Sequence, residues 1–169
     1  LPFMGVLSTK LKDGTPCRVV RISFSGELAY EMYIESDYAH GMMDLLWENA
    51  KKLDGCLYGL EALGALRVEK GHVTAAELDG RTTIDDAGLG KMASTKKSYI
   101  GSAMRKRGVL SEGDREMLVG FFPINSKETF NAGTIVCEQH SIKGQGVGRI
   151  TSVTHSPELG HWIGIGFVK

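Results

Sequence analysis

The chain has 169 residues, 42 % hydrophobic and 24 % charged, and its 20 basic and 20 acidic side chains cancel to zero net charge. That apolar content suits one good-sized packed soluble domain, or a modest domain with a small partner, and excludes a disordered chain. Zero net charge without a Lys/Arg-rich run excludes the footprint of a nucleic-acid or anionic-membrane binder, and no apolar stretch approaches the ~18–20 residues of a membrane helix.

Nothing near Leu1 resembles a signal peptide. Residues 17–24 and 29–34 are dense in β-branched and apolar types and read as two strands around a Ser25-Gly26-Glu27 turn. Ser36 or Asp37 is placed to accept from free amides as a helix N-cap. Tyr38, Met42, Leu45, Leu46, Asn49 and Leu53 then recur every three or four residues, with Asp44, Glu48, Lys51 and Lys52 opposite them. This predicts an amphipathic helix that Gly55 stops. A second helix is predicted over 60–70, with Gly71 as the left-handed residue beyond its end. Thr83 and Asp86 have capping-box spacing for a short helix before Gly88, and 98–107 reads as a helix ended by Gly108.

After Gly108 the character changes. Residues 110–115 read as a polar linker, and short strands follow at 117–122, 134–137, 147–153 and 162–168. With 22 glycines, well above the ~7 % average, tight turns between short strands are expected, as in a small antiparallel β-barrel or sandwich. The last strand reaches Lys169, so an unpaired edge is expected at 162–168. The expected class is α+β, with one domain portion over 1–109 and a carboxy-terminal, incomplete β-barrel domain over 110–169.

Gly144-Gln145-Gly146-Val147-Gly148 lacks the spacing and following helix of a dinucleotide loop and reads as a hairpin. Gly90-Lys91 is no phosphate loop, because Met92 stands where a Ser or Thr would hold magnesium. His40, His72, His140, His155 and His161 show no metal-ligand spacing, so no metal is expected. Cys17, Cys56 and Cys137 are far apart and read as buried thiols in a reducing, cytoplasmic setting. No nucleophile elbow occurs. From composition and spacing alone, an enzyme piece and a binding module both remain open.

Four stretches, in order, resemble the folate-binding aminomethyltransferase family that includes the T protein of the glycine cleavage system. They are Ser23 to Met32, with Gly26-Glu27 and Glu31; Tyr58 to Gly71; Glu77-Leu78-Asp79 with Thr82-Thr83 and Ala87-Gly88-Leu89-Gly90; and Gly148-Arg149-Ile150-Thr151-Ser152 with Ser156-Pro157-Glu158-Leu159-Gly160. Leu63 and Gly64 depart from the T-protein pattern, which has Arg and Asp there. The wording of 59–64, 69–72 and 78–83 is most similar to the branch found in alpha subunits of heterotetrameric sarcosine oxidases.

This resemblance implies the carboxy-terminal half of the aminomethyltransferase fold, followed by the β-barrel domain. It implies tetrahydrofolate as the cofactor bound here, with flavin and NAD only in other parts of the parent complex, and the other sarcosine oxidase subunits as partners. The implied reaction is capture of the one-carbon unit from oxidised sarcosine as 5,10-methylenetetrahydrofolate. No catalytic residue is expected in this chain, because the family's catalytic Asp belongs to a segment before Leu1. The alternatives are a stand-alone aminomethyltransferase and a non-catalytic folate-fold interaction module.

Glu31 matches the Glu that holds the pterin ring in the family. Its chemistry fits, since a pterin presents a ring N–H beside an exocyclic amine and a carboxylate offers two parallel acceptors. On a strand over 29–34, Glu31 shares a face with Ala29 and Tyr33. Tyr30 and Arg67 complete the expected cofactor-binding set. For Arg67, an internal ion pair with Glu69 or Glu31 is an equal reading.

Overall fold

The computed structural model describes residues 1–111, 113–138 and 146–169. Glu112, His140, Gly144 and Gln145, which figured in the linker, histidine and hairpin readings, lie outside the described residues. The chain forms two compact units, Leu1–Leu63 and Gly64–Lys169. The class is α+β, as the sequence led one to expect.

In the first unit, β1 (Val6–Lys10), β2 (Pro16–Val20) and β3 (Glu31–Tyr33) form an antiparallel sheet in the order β1-β2-β3. The sequence reading passed over β1, although Asp13-Gly14 is a hairpin signal. Gly14 takes φ +89°, and the Asp13 carboxylate accepts from the Thr15 amide at 2.9 Å, which closes the turn between β1 and β2. A 3-10 turn, Ser36–Tyr38, leads into α1 (Ala39–Lys51). Neither Ser36 nor Asp37 caps it. The cap positions are Glu35 and Tyr38, without side-chain bonds, because the 3-10 turn satisfies the entry through the backbone, Tyr38 N–H donating to Glu35 O at 3.1 Å. At the other end Asp54, not Gly55, takes the left-handed conformation at φ 55°. Along the apolar stripe of α1, Met42 is buried but Leu45 and Leu46 are 50 % and 44 % exposed, since this unit carries no layer that covers them.

Helix α2 (Leu60–Lys70) begins in the first unit and ends in the second, where Gly71 leaves it at φ +75°. The predicted box between Thr83 and Asp86 forms reciprocally, at 2.7 and 3.2 Å, but closes a turn rather than opening a helix. The helix expected over 98–107 is cut by Gly101, which adopts φ +90°. Only α3 (Ser102–Arg105) remains of it, and Gly108 starts a further turn, α4 (Gly108–Ser111), instead of ending one.

Four antiparallel strands follow: β4 (Met117–Phe121), β5 (Ile135–Val136), β6 (Gly148–Ser156) and β7 (His161–Val168), in the order β4-β7-β6-β5. The last strand is therefore central, paired with both β4 and β6. The unpaired edge expected at 162–168 falls instead on β4 and β5, because the chain returns its final strand into the middle of the sheet. The sheet is not closed among the described residues. Val68 of α2 packs with Ile163, Ile165 and Leu118 to make its core. Of the three cysteines only Cys17 is buried; Cys56 and Cys137 are exposed free thiols, contrary to the expectation of three buried ones.

The centre of this sheet tolerates no added volume. A Cβ on Gly166 would lie 2.1 Å from the Arg149 carbonyl oxygen and 2.7 Å from Ile150 Cα, both backbone atoms. Gly166→Ala is expected to cost about 3 kcal/mol or more in urea denaturation, at the upper end for overpacking. A loss within ~0.5 kcal/mol, the range of neutral surface changes, would contradict the β6–β7 register.

Candidate functional site

On β3, alternation sends Glu31 and Tyr33 to one face. Both are exposed, and the Tyr33 phenol donates to Glu31 Oε2. That bond holds the Tyr33 pKa above its ordinary value. Register places Arg18 of β2 opposite Tyr33, and Val20 opposite Glu31, so a guanidinium joins the carboxylate and phenol on this face. Tyr30, half exposed, precedes the strand. Glu31 thus stands as an open carboxylate with Oε1 uncommitted among the described residues and Oε2 held by a phenol. Tyr33 and Arg18 were not singled out from sequence; the i, i+2 spacing from Glu31 was the signal for Tyr33.

Arg67 sits in a different setting. Its side chain is 12 % exposed and pairs with Glu77, whose side chain is fully buried, at 3.0 Å. Neither Glu69 nor Glu31 is the partner: Glu69 accepts from the Ser156 hydroxyl, and Glu31 from Tyr33. The guanidinium also donates to the His72 carbonyl at 3.2 Å and to Ser152 Oγ at 2.6 Å. Glu77 Oε2 takes the Thr74 amide at 2.8 Å, while Oε1 takes the hydroxyls of Thr151 at 2.7 Å and Ser152 at 2.6 Å.

Two consecutive strand residues ordinarily point to opposite faces. Here the register shifts between Ile150 and Ser152, a bulge that lets Thr151 and Ser152 reach the same carboxylate. Arg67, Val68 and Glu69 of α2 thereby fasten to Ser152, Ile163 and Ser156. This is the chemistry of a structural site, with both Glu77 oxygens taken up by donors of the chain itself.

Nearby carboxylates are anchored the same way. Asp86 accepts from the Arg115 guanidinium, Nε at 2.8 Å, and Asp85 holds Arg105 in a two-pronged pair at 2.6 and 2.7 Å. The Arg105 hydrogen bonds keep the Asp85 carboxyl below the ordinary value. Among the described residues no group of three His, Cys, Asp or Glu is arranged for a metal ion, and no helix is long and apolar enough to cross a membrane.

Comparison with known proteins fits this arrangement. The GCVT N-terminal domain family matches residues 1–97, and the glycine cleavage T-protein C-terminal barrel domain matches 117–169. The chain belongs to this aminomethyltransferase, or glycine cleavage T-protein, family. It is 36 % identical over 173 residues to the sarcosine oxidase alpha subunit of Rhizobium meliloti, covering 99 % of this chain and 17 % of that subunit. The corresponding subunit of Corynebacterium sp. strain P-1 is 30 % identical, with 99 % and 18 % covered. An aminomethyltransferase from Halothermothrix orenii is 33 % identical, with 100 % and 46 % covered. The chain therefore spans about a sixth of the alpha subunits it matches. The crystal structure of the aminomethyltransferase T of the glycine cleavage system from Bartonella henselae superposes with a TM-score of 0.82 at 21 % identity, over 99 % of this chain and 45 % of that one. At that identity the match bears on the fold.

The buried carboxylate makes a pH prediction. Burial pushes the Glu77 pKa up, but the hydrogen bonds from Ser152, Thr74 and Thr151 and the Arg67 charge outweigh it, and the net shift is below the ordinary 4.5. A carboxyl depressed on folding contributes stability above its unfolded pKa and loses it as pH falls through the folded value. Ser152→Ala removes a bond to the charged form, which raises the folded pKa. It should cost about 2 kcal/mol near neutral pH, the range for a hydrogen bond to an ion. The difference from wild type should shrink as acid protonates Glu77. Denaturation curves in a pH series would show it; a deficit that stays constant into strong acid would contradict an ionised Glu77.

Proposed function

We propose that this chain is the tetrahydrofolate-binding portion of a sarcosine oxidase alpha subunit, in which the one-carbon unit of oxidised sarcosine is captured as 5,10-methylenetetrahydrofolate. The observation that carries the reading is the 36 % identity to such a subunit along 99 % of the chain, combined with an open carboxylate, Glu31, at the family's pterin position. Folate supplies the nucleophilic nitrogens that accept the one-carbon unit. This chain's share is to bind and orient the pterin. Flavin and NAD chemistry belongs, in this reading, to other parts of the parent enzyme, and its remaining subunits are the partners.

Glu31 is the direct contact. Its two oxygens match the paired donors of the pterin, with Oε1 uncommitted and the Tyr33 phenol steadying Oε2. Tyr30 stands beside it as a second contact. Arg67, whose guanidinium already bonds Glu77, His72 and Ser152, supports α2 within its own unit. The division into a folate-domain portion over 1–109 and a β domain over 110–169 belongs to the same proposal.

Glu31→Gln in the whole enzyme tests it. Gln replaces one acceptor oxygen with a donor that would confront a donor of the pterin, and a bond to a charged group is worth ~1.5–3 kcal/mol. Tetrahydrofolate affinity, by calorimetric titration, should fall roughly ten- to hundredfold at about 1.4 kcal/mol per decade. Melting temperature without folate should barely move, and amine oxidation should continue with more formaldehyde released. Equal affinities would return Glu31 to an ordinary exposed strand residue.

A further inference from the structure

Zero net charge over the whole chain conceals a local imbalance. From Ala87 to Ser111 there is no acidic residue, yet six cations occur there: Lys91, Lys96, Lys97, Arg105, Lys106 and Arg107. Residues of this stretch line an open cleft of about 680 Å³, inside the range of small-ligand sites. Lys96, Lys97 and Lys106 are among its lining residues, and none makes an ion pair among the described residues.

Several polar side chains in its wall are held in place. Arg105, in its wall, is locked by the two-pronged bond to Asp85 and reaches the Tyr99 hydroxyl at 3.4 Å. Ser102 Oγ accepts from the Tyr99 amide at 3.5 Å, and Ser111 Oγ donates to the Gly108 carbonyl at 3.2 Å. Thr95 and Ser98 also line the cleft, and neither hydroxyl has a partner among the described residues. Uncompensated like charges around one cleft repel one another, which a bound anion relieves. Ammonium groups and hydroxyls are also the donors that oxyanions take.

We propose that the cleft lined by Lys96, Lys97 and Lys106, with the Thr95 and Ser98 hydroxyls, is a binding site for a small oxyanion ligand carrying at least two negative charges, whether as phosphates or as paired carboxylates. Its residues belong to the second unit and Glu31 to the first, and the proposal does not depend on folate binding at Glu31. Because the cations are exposed, the site is weak and salt-sensitive, with affinity that falls as ionic strength rises.

Calorimetric titration of the folded protein at low salt with pyrophosphate, and separately with tricarballylate, tests the proposal. Saturable binding of at least one probe is expected, weakened roughly tenfold or more in the K96Q/K97Q/K106Q variant, as three lost exposed ion pairs would give. A variant that removes the same charge elsewhere, K10Q/K12Q/K52Q, should bind as wild type does. The tighter probe identifies the source, phosphate or carboxylate. Binding of neither probe would overturn the site, as would equal weakening in both variants, which would reduce the effect to overall charge. An unchanged melting temperature in the absence of probe shows that each variant is folded.

Discussion

The second unit is organised around one buried ion pair. Glu77 is fully buried and Arg67 nearly so, and charges buried in this way cost several kcal/mol each unless their donors and acceptors are matched. The matching here is dense: Thr74 closes the loop before Glu77, while Thr151 and Ser152 complete it from the sheet. That requirement explains features that otherwise look unrelated. The bulge in β6 exists where two successive hydroxyls must turn to one carboxylate. Gly164 and Gly166 stand in β7 where the neighbouring strand passes too close for a Cβ. Helix α2 ends its last turn against the sheet because Arg67 and Glu69, one on each side of the buried Val68, both find partners on β6.

A second consequence concerns where function can reside. Three of the four stretches that resemble the aminomethyltransferase family, those of α2, the Glu77 turn and β6, converge on this network. Arg67, Glu69, Glu77, Thr151, Ser152 and Ser156 bond among themselves, so at these positions the pattern reads as architecture. The remaining stretch, on β3, presents an unburied carboxylate beside Tyr33 and across from Arg18. The two carboxylates differ in setting, Glu31 exposed and Glu77 buried, and their environments distinguish them more sharply than their sequence contexts do.

Much of this was legible in the sequence where local chemistry decides the outcome. Helix α2 has the predicted bounds, because its end is written in Gly71, and the strands at 117–121 and 161–168 follow from dense apolar runs. What failed was whatever depends on partners far along the chain. Helical periodicity marked Leu45 and Leu46 as a core face, but periodicity cannot tell which layer will cover it. The position of β7 in the sheet is set by pairing order, which a linear reading cannot see. Arg67 was assigned by motif to a ligand or to an ion pair with Glu69 or Glu31. Its actual partner, ten residues on, becomes reachable because the 72–77 loop folds back on α2.

The direct test of this account is a double-mutant cycle on Arg67 and Glu77, with Arg67→Met and Glu77→Leu as near-isosteric apolar replacements and stability read by urea denaturation. Each single change leaves one buried charge unmatched and should cost about 3–5 kcal/mol. The double variant buries no unpaired charge, so it should cost less than the two singles together by about 2–3 kcal/mol. Strictly additive losses, or single variants within ~0.5 kcal/mol of wild type, would contradict the claim that this pair organises the unit.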